Sequence, residues 1–481
     1  MPFDFWTDPD LLDARHRKSA AALVALCRTL ERRRPLGGRE NEFLALYGRI
    51  VAAAAATFTR VWTEPRAYLW LRIAYQLLAV HLNGGALSPL AERTRLAYGA
   101  PDSAAALAAH LEGFKAICVA VACDSGDEWR FETPLRATLP FTVPAARWTL
   151  EGSGALAVHG VRAGRLEIAL DGVRLDLPLD RLDARPLPIG PATLRPAVVA
   201  RHGGAELVMA PAAFNIPGLE GREAVLAAGL GLQAEWRAPV EDALAALARL
   251  VPDQLERFAA DMRHVVVKRK GEGPFTNVSH SELPGACITT PMANPLVLAD
   301  LLLHEHQHNR LFALEERGPF FEPGSGAATD RRHYSPWRDD PRPMQGLLHA
   351  LTVYVSSCRL WLRVYEARAA TADELRYAED RLLRIPRQLA LASAVLAREA
   401  PFTEHGRAVF EALDRDRTAL EAAIARLGLP ADVPALAGRP DGTFEPLSSA
   451  EDGRALSARE AVREHVRLRD VRGQSADLAV A

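Results

Sequence analysis

The sequence predicts a mainly helical α+β protein, and three observations carry the prediction. Residues 10 to about 122 space their apolar side chains at helical intervals. From Asp124 the texture changes to short runs in which polar and apolar residues alternate between glycines and prolines. From Val240 helical spacing returns, and one of its helices carries a metal-binding pattern. The expected organisation is an N-terminal helical region (1–123), a central antiparallel β region (124–213), a helical metal-binding domain (214–430) and a C-terminal tail (431–481).

The bounds fit this division. A chain of 481 residues with 49% hydrophobic content supports a large core and exceeds one typical domain. Lys and Arg number 58 against 60 Asp and Glu, a formal net charge of −2. That balance gives no electrostatic case for nucleic acid or an anionic membrane as partner. The opening "MPFDFWTDPDLLDARHRKSA" has early acidic residues and no basic-then-apolar signal region. "IVAAAAATFTRVW" is soon interrupted by Arg60, too short to span a bilayer. Cys27, Cys118, Cys123, Cys287 and Cys358 are scattered, with no CxxC, and read as reduced thiols. A cytoplasmic protein is expected.

The elements follow in order. "DLLDARHRKSAAALVALCRTLERRRPLGG" is helical up to its Pro/Gly stop, and three further helical stretches follow, each bounded by Gly, Pro or Asn. "EWRFETPLRATLPFTV", "RWTLEGSGALAVHGV", "RLEIALDGVRLDLPL" and "AELVMAP" read as short strands of a meander. "GSGA" at Gly152 lies among these strands with no helix after it, so it is no nucleotide loop. "VEDALAALARLVPDQLERFAADM" is helical and leads to a strand-like "HVVVKRK" and a second short strand, "ACITTP". Helices resume with "MQGLLHALTVYVSSCRLWLRVYEARA" and fill 372–427; the tail is Pro/Gly-rich, with one weak helix near "SAREAVREHVRLRD".

Between "ACITTP" and "MQGLLHALTVY" lies "NPLVLADLLLHEHQHNRLFALEERGP". Asn294 suits an N-cap, Pro295 the first helical position, and Gly318 with Pro319 the stop. His304 and His308 are four residues apart, so their imidazoles stand one above the other on one face, as one bound ion requires. Glu305 completes an HExxH pattern, while His306 points elsewhere, about 200° round the helix.

The third ligand must come from another element. The extended pattern with a third histidine fails, because that position is Leu314. Glu315 is seven residues past His308, about 10 Å along the axis and out of reach. His349, 41 residues after His308 and inside an amphipathic helix, is the better candidate, unless it is a satisfied core histidine; Glu366 is the acidic alternative. Two histidines and a third ligand serve two chemistries. Zinc would activate a water with Glu305 as general base, whereas Fe(II) would leave three positions open for a co-substrate and dioxygen.

"PGACITTPMANPLVLADLLLHEHQHNRL" followed by "HYSPWRDDPRPMQGLLHALTVY" resembles the HEXXH-motif proteins associated with ribosomally made, modified peptides. The resemblance covers roughly residues 278 to 366. It implies, for at least some members, Fe(II)/2-oxoglutarate-dependent hydroxylation of a side chain in a precursor peptide. The family's metal histidines carry over to His304, His308 and His349, and its motif glutamate to Glu305.

A 2-oxoglutarate co-substrate needs a cation for its far carboxylate, and a guanidinium offers a bidentate pair. Arg338 and Arg342 in "SPWRDDPRP" are the candidates, unless they pair with Asp339 and Asp340. Trp337 and Tyr334 either wall a pocket or pack the loop. The strand "ACITT" is a candidate to receive an extended peptide by backbone pairing. Three functions stay open: a peptide hydroxylase using Fe(II) and 2-oxoglutarate, a zinc metallopeptidase, and a binding module with a structural zinc.

Overall fold

The computed structural model describes residues 11–32, 37–52, 61–62, 64–138, 141–142, 148–179, 186–209, 230–268, 277–290, 292–324, 331–430 and 432–471. The expected boundary at 213/214 lies outside them. The architecture is mainly helical α+β, with helices at both ends and antiparallel sheets between.

Helices α1 (Leu11–Glu31), α2 (Gly38–Ala52), α3 (Pro65–Asn83), α4 (Pro89–Ala97), α5 (Ser103–Leu111) and α6 (Phe114–Ser125) form the N-terminal layer. The Glu64 carboxylate caps α3 by accepting the N–H groups of Arg66 and Ala67. Aromatic rings fill the layer: Phe43 meets Phe114 edge-on at 4.9 Å and stands 5.9 Å from Trp70. The stretch Ser103–Ser125 is long and apolar enough to cross a membrane by length and composition, but 67% of its apolar window is buried inside the protein. It is a core element in two pieces, broken at Glu112 and Gly113.

The central region forms two sheets and not one meander. Strands β1 (Trp129–Thr138), β4 (Ala155–Arg162), β5 (Arg165–Leu170) and β6 (Val173–Pro178) pair antiparallel in the order β1-β4-β5-β6. Strands β2 (Phe141–Thr142), β3 (Trp148–Gly152), β7 (Leu187–Ile189) and β8 (Ala192–Pro196) pair in the order β2-β3-β8-β7.

The next two strands, β9 (Val198–His202) and β10 (Ala205–Met209), leave those sheets. They join β11 (His264–Val267), β12 (Asn277–Val278) and β13 (Ala286–Thr289) in a five-stranded sheet, order β12-β13-β11-β10-β9, so this part of the expected β region belongs with the half that carries the HExxH helix. Alternation across this sheet divides the molecule. Val265, Val267 and Cys287 face one core, built with the C-terminal helices. Val266 and Ile288 face a second core, shared with the N-terminal helices and the two smaller sheets.

Helices α7 (Leu230–Glu235), α8 (Arg237–Leu250) and α9 (Pro252–Asp261) precede β11. The motif helix α10 (Pro295–Glu315) packs on α8 and on α11 (Met344–Ala367), which in turn packs on α12 (Ala372–Glu399) and α13 (Glu404–Ala425). The tail is folded: β14 (Leu436–Gly438) pairs with β15 (Phe444–Pro446), and α14 (Ala458–Val471) lies on α12.

Candidate metal centre

Helix α10 starts where its sequence says it does. The Asn294 side-chain oxygen accepts from Leu296 N at 3.0 Å and Val297 N at 3.1 Å, Pro295 follows, and the helix runs to Glu315. The His304 and His308 rings sit 5.0 Å apart. From α11, His349 brings Nδ1 to within 3.0 Å of His308 Nδ1, with ring centres 5.2 Å apart. Phe312, one turn beyond His308, lies against both rings at 6.3 and 5.1 Å. Tyr354 meets His304 edge-on at 5.6 Å, and Trp337 stacks flat on Tyr354 at 4.6 Å.

These three histidines differ from the other buried ones. His306 is bonded to Asp261 at 2.7 Å, His264 to Glu64 at 3.1 Å, and His110 to the Trp70 carbonyl at 2.8 Å. No carboxylate partners His304, His308 or His349 among the described residues, and His349 Nε2 is buried without a hydrogen bond. Burial pushes His304 down to about 4, helped by the Arg381 charge, and His308 down to about 3. Burial also holds His349 well below the ordinary value. All three are neutral imidazoles, the form that binds a metal.

Two of the three ring pairs have the spacing that a shared ion gives. Imidazoles bound at about 2.1 Å and separated by about 100° put ring centres about 5 Å apart, against 5.0 and 5.2 Å observed. As placed, the nitrogens do not converge: among the described residues no group of three His, Cys, Asp or Glu side chains is arranged to hold a metal. Two of the ring pairs, His304 with His308 and His308 with His349, are spaced as a shared ion would space them, and the nitrogens would have to turn toward a common point to hold it.

Glu305 lies on the sheet side of α10. Its Oε2 is buried without a hydrogen bond, and burial pushes its carboxyl up to about 7 against the opposing effects of Ser279 and His280. Asn309 fixes this side: its amide donates to the Glu305 carbonyl at 3.0 Å and to Ser279 Oγ at 3.1 Å, and its oxygen accepts Gly285 N at 2.8 Å. Gly285 has φ +79°, and a Cβ there would stand 2.8 Å from the Asp261 carbonyl, so only glycine fits. His306 does point away from the ligand face: it and Arg310, also at 2.7 Å, clamp Asp261 of α9.

The alternative ligand Glu366 is ruled out by distance. It is 17 residues beyond His349 on the same helix, about 25 Å along the axis, exposed and paired with Arg363 at 2.8 Å. Glu315 is likewise occupied elsewhere, accepting from Gln345 at 2.7 Å. Strand β13, expected to receive a peptide, pairs with β11 along its whole length and with β12 at Ile288 and Thr289, so both of its sides are at least partly taken.

Arg338 and Arg342 share Asp340 at 2.9 and 3.2 Å, and the Arg338 side chain is 51% exposed. Their loop is closed by paired backbone bonds between His333 and Arg342 and tied to α12 by Gln388, which donates to the Pro336 carbonyl at 2.9 Å. Tyr334 packs with Leu391, Val462 and Val466 and bonds His465 at 2.8 Å, so it anchors the loop, while Trp337 covers the tyrosine beside His304.

Arg381 of α12 is a cation whose charge is felt at His304. It pairs with Asp300 at 3.4 Å and bonds Ser357 at 3.2 Å, and its guanidinium lies 5.8 Å from the Tyr354 ring centre. Its Nε and Asp300 Oδ1 are both buried without a hydrogen bond. Sequence reasoning missed Asp300, Phe312, Tyr354 and Arg381. Asp300 and Phe312 were within reach, since each is four residues from a ligand histidine on the same face; Arg381 carries no local signal. The chain matches no protein-family model and no curated protein.

Proposed function

We propose that this protein is an Fe(II)/2-oxoglutarate-dependent dioxygenase that hydroxylates a side chain of a ribosomally made precursor peptide. The observation that carries the reading is the cluster of His304, His308 and His349, held neutral by burial, with the buried Arg381 near the Tyr354 ring that meets His304. Three protein ligands leave half of an octahedral ion open, room for a two-pointed keto acid and dioxygen. Bound together, iron and 2-oxoglutarate supply the oxidising chemistry: dioxygen puts one atom into a C–H bond and one into succinate, with release of carbon dioxide.

The chain's own residues bind, orient and shield. Burial keeps the histidines unprotonated, and Phe312 and Tyr354 pack against their rings. Arg381 or the Arg338 and Arg342 pair receives the far carboxylate of the co-substrate, and the buried position of Arg381 beside Tyr354 favours it. Glu305, on the sheet side of α10 next to His304 in the chain, has its carboxyl raised by burial to about 7, so it would take up or release a proton near neutral pH. The five free thiols suit the cytoplasm, where ribosomally made peptides appear.

One observation favours zinc peptidase chemistry as the second reading: a carboxyl held at about 7 is well matched to a general base. Mass spectrometry of a cognate peptide, incubated with Fe(II) with and without 2-oxoglutarate, separates the two. One added oxygen atom with matching succinate release is expected. A cleaved peptide, with zinc sustaining the activity, overturns the hydroxylase reading.

A further inference from the structure

Away from the histidines, α12, α13 and α14 line an open pocket of about 440 Å³, within the size range of ligand pockets. Its floor is apolar, with Leu383 and Pro386 from α12 and Ile424 and Leu429 from the end of α13 and beyond. Its rim is cationic. Arg387 of α12 and Arg459 at the start of α14 line it, and Arg463 stands one turn beyond Arg459.

No ion pair holds any of these three arginines among the described residues. Elsewhere the neighbouring carboxylates are engaged: Glu421, which also lines the cavity, is held by Arg417 at 2.7 Å, and Glu460 by Arg454 and Ser457. Arg387 donates only to the Leu383 carbonyl, at 2.6 Å. Burial and then the charges of Arg459 and Arg463 hold its own charge back. Three crowded guanidiniums around an apolar hole call for anionic groups attached to an apolar body. Arg387 is six residues from Arg381 on α12, about 9 Å of helix, and Gln388 beside it holds the loop that covers the metal centre.

We propose that this cavity is a docking site for a peptide segment that presents carboxylates beside an apolar side chain. The apolar side chain enters between α12 and α13 while Arg387, Arg459 and Arg463 pair with the carboxylates. That the segment belongs to the peptide modified at the histidines rests on the reading above; the docking itself needs no metal.

The test uses metal-free full-length protein and fluorescence anisotropy of a short labelled peptide of alternating Glu and Leu. Binding is expected to weaken at least about tenfold in the variant R387Q/R459Q/R463Q, and about as much when Leu is replaced by Ser in the peptide. The charge reversal R459E/R463E, confined to two exposed residues, should instead favour a Lys and Leu peptide, which guards against a misfolded triple variant. Equal binding by the triple variant, or full displacement by inorganic phosphate with no loss on the Leu-to-Ser change, overturns the proposal; the latter outcome marks a small-anion site. Succinate release by wild-type protein is measured separately, and its absence counts against the hydroxylase reading alone.

Discussion

A single histidine changes meaning with its neighbours. His306 and His308 are two residues apart, yet one is a clamp on Asp261 and the other a candidate ligand, because the helix turns them to opposite sides. His304→Ala, His308→Ala and His349→Ala should each abolish stoichiometric metal in the purified protein while circular dichroism stays unchanged. Glu366→Ala, on an exposed residue far along α11, should leave metal content as it was. Elemental analysis decides, and full metal retention in all three histidine variants sinks the site. Protons report on the same trio in metal-free protein. The folded values of His304 and His308 lie below the ordinary 6.5, so the unfolded chain binds more protons as pH falls below that value, and stability is lost. Each histidine contributes up to about 1.4 kcal/mol per pH unit in that window. Glu305 works the other way: its raised value gives stability that is present at low pH and lost as pH rises from 4.5 to about 7. It therefore offsets one histidine over the shared range. Denaturant melts between pH 5 and 6 should show a steeper loss for wild type than for H304N/H308N/H349N, and parallel slopes would refute the neutral-histidine account.

At the scale of elements, α10 is held by its cap and by a buried charge network. Asn294→Ala removes the acceptor for two backbone N–H groups and the bond to Glu374, and should cost about 1 kcal/mol without loss of metal. Asp261→Asn should cost more, about 3–5 kcal/mol, because it leaves Arg310 buried beside a neutral group and unties α9 from α10. Chemical denaturation of both variants measures the difference; an Asp261→Asn cost no larger than that of Asn294→Ala would show that the clamp is not a buried ion pair in solution. The tail acts at this scale too. Helix α14 holds Tyr334 through His465, Val462 and Val466, and so fixes the loop whose Trp337 covers Tyr354.

Across the whole molecule, one five-stranded sheet serves two cores. Val266 and Ile288 complete the N-terminal core from the same strands whose Val265, Val267 and Cys287 complete the C-terminal one. Polar ties cross the same divide: Arg15 of α1 meets Glu316 at 2.7 Å, and Glu64 meets His264 at 3.1 Å. Neither half can unfold without exposing a face of the sheet, so thermal transitions by far-ultraviolet circular dichroism and by tryptophan fluorescence should coincide. Two separated transitions would mean that the halves are independent domains.

Local patterns were readable without coordinates because backbone periodicity and caps set them. Asn294 and Pro295 start α10, the four-residue spacing aligns His304 with His308, and alternation marks the strands. The joining of β9 and β10 to the C-terminal sheet was not readable, since an alternating strand fits any sheet with one matching face. Nor was the choice between His349 and Glu366: both lie on α11, and only its packing against α10 decides which of them meets the histidine pair. Arg381 is the extreme case. Its place against Asp300 and the Tyr354 ring depends on α12 crossing α11, an arrangement fixed by which apolar faces bury together and written in no single stretch of sequence.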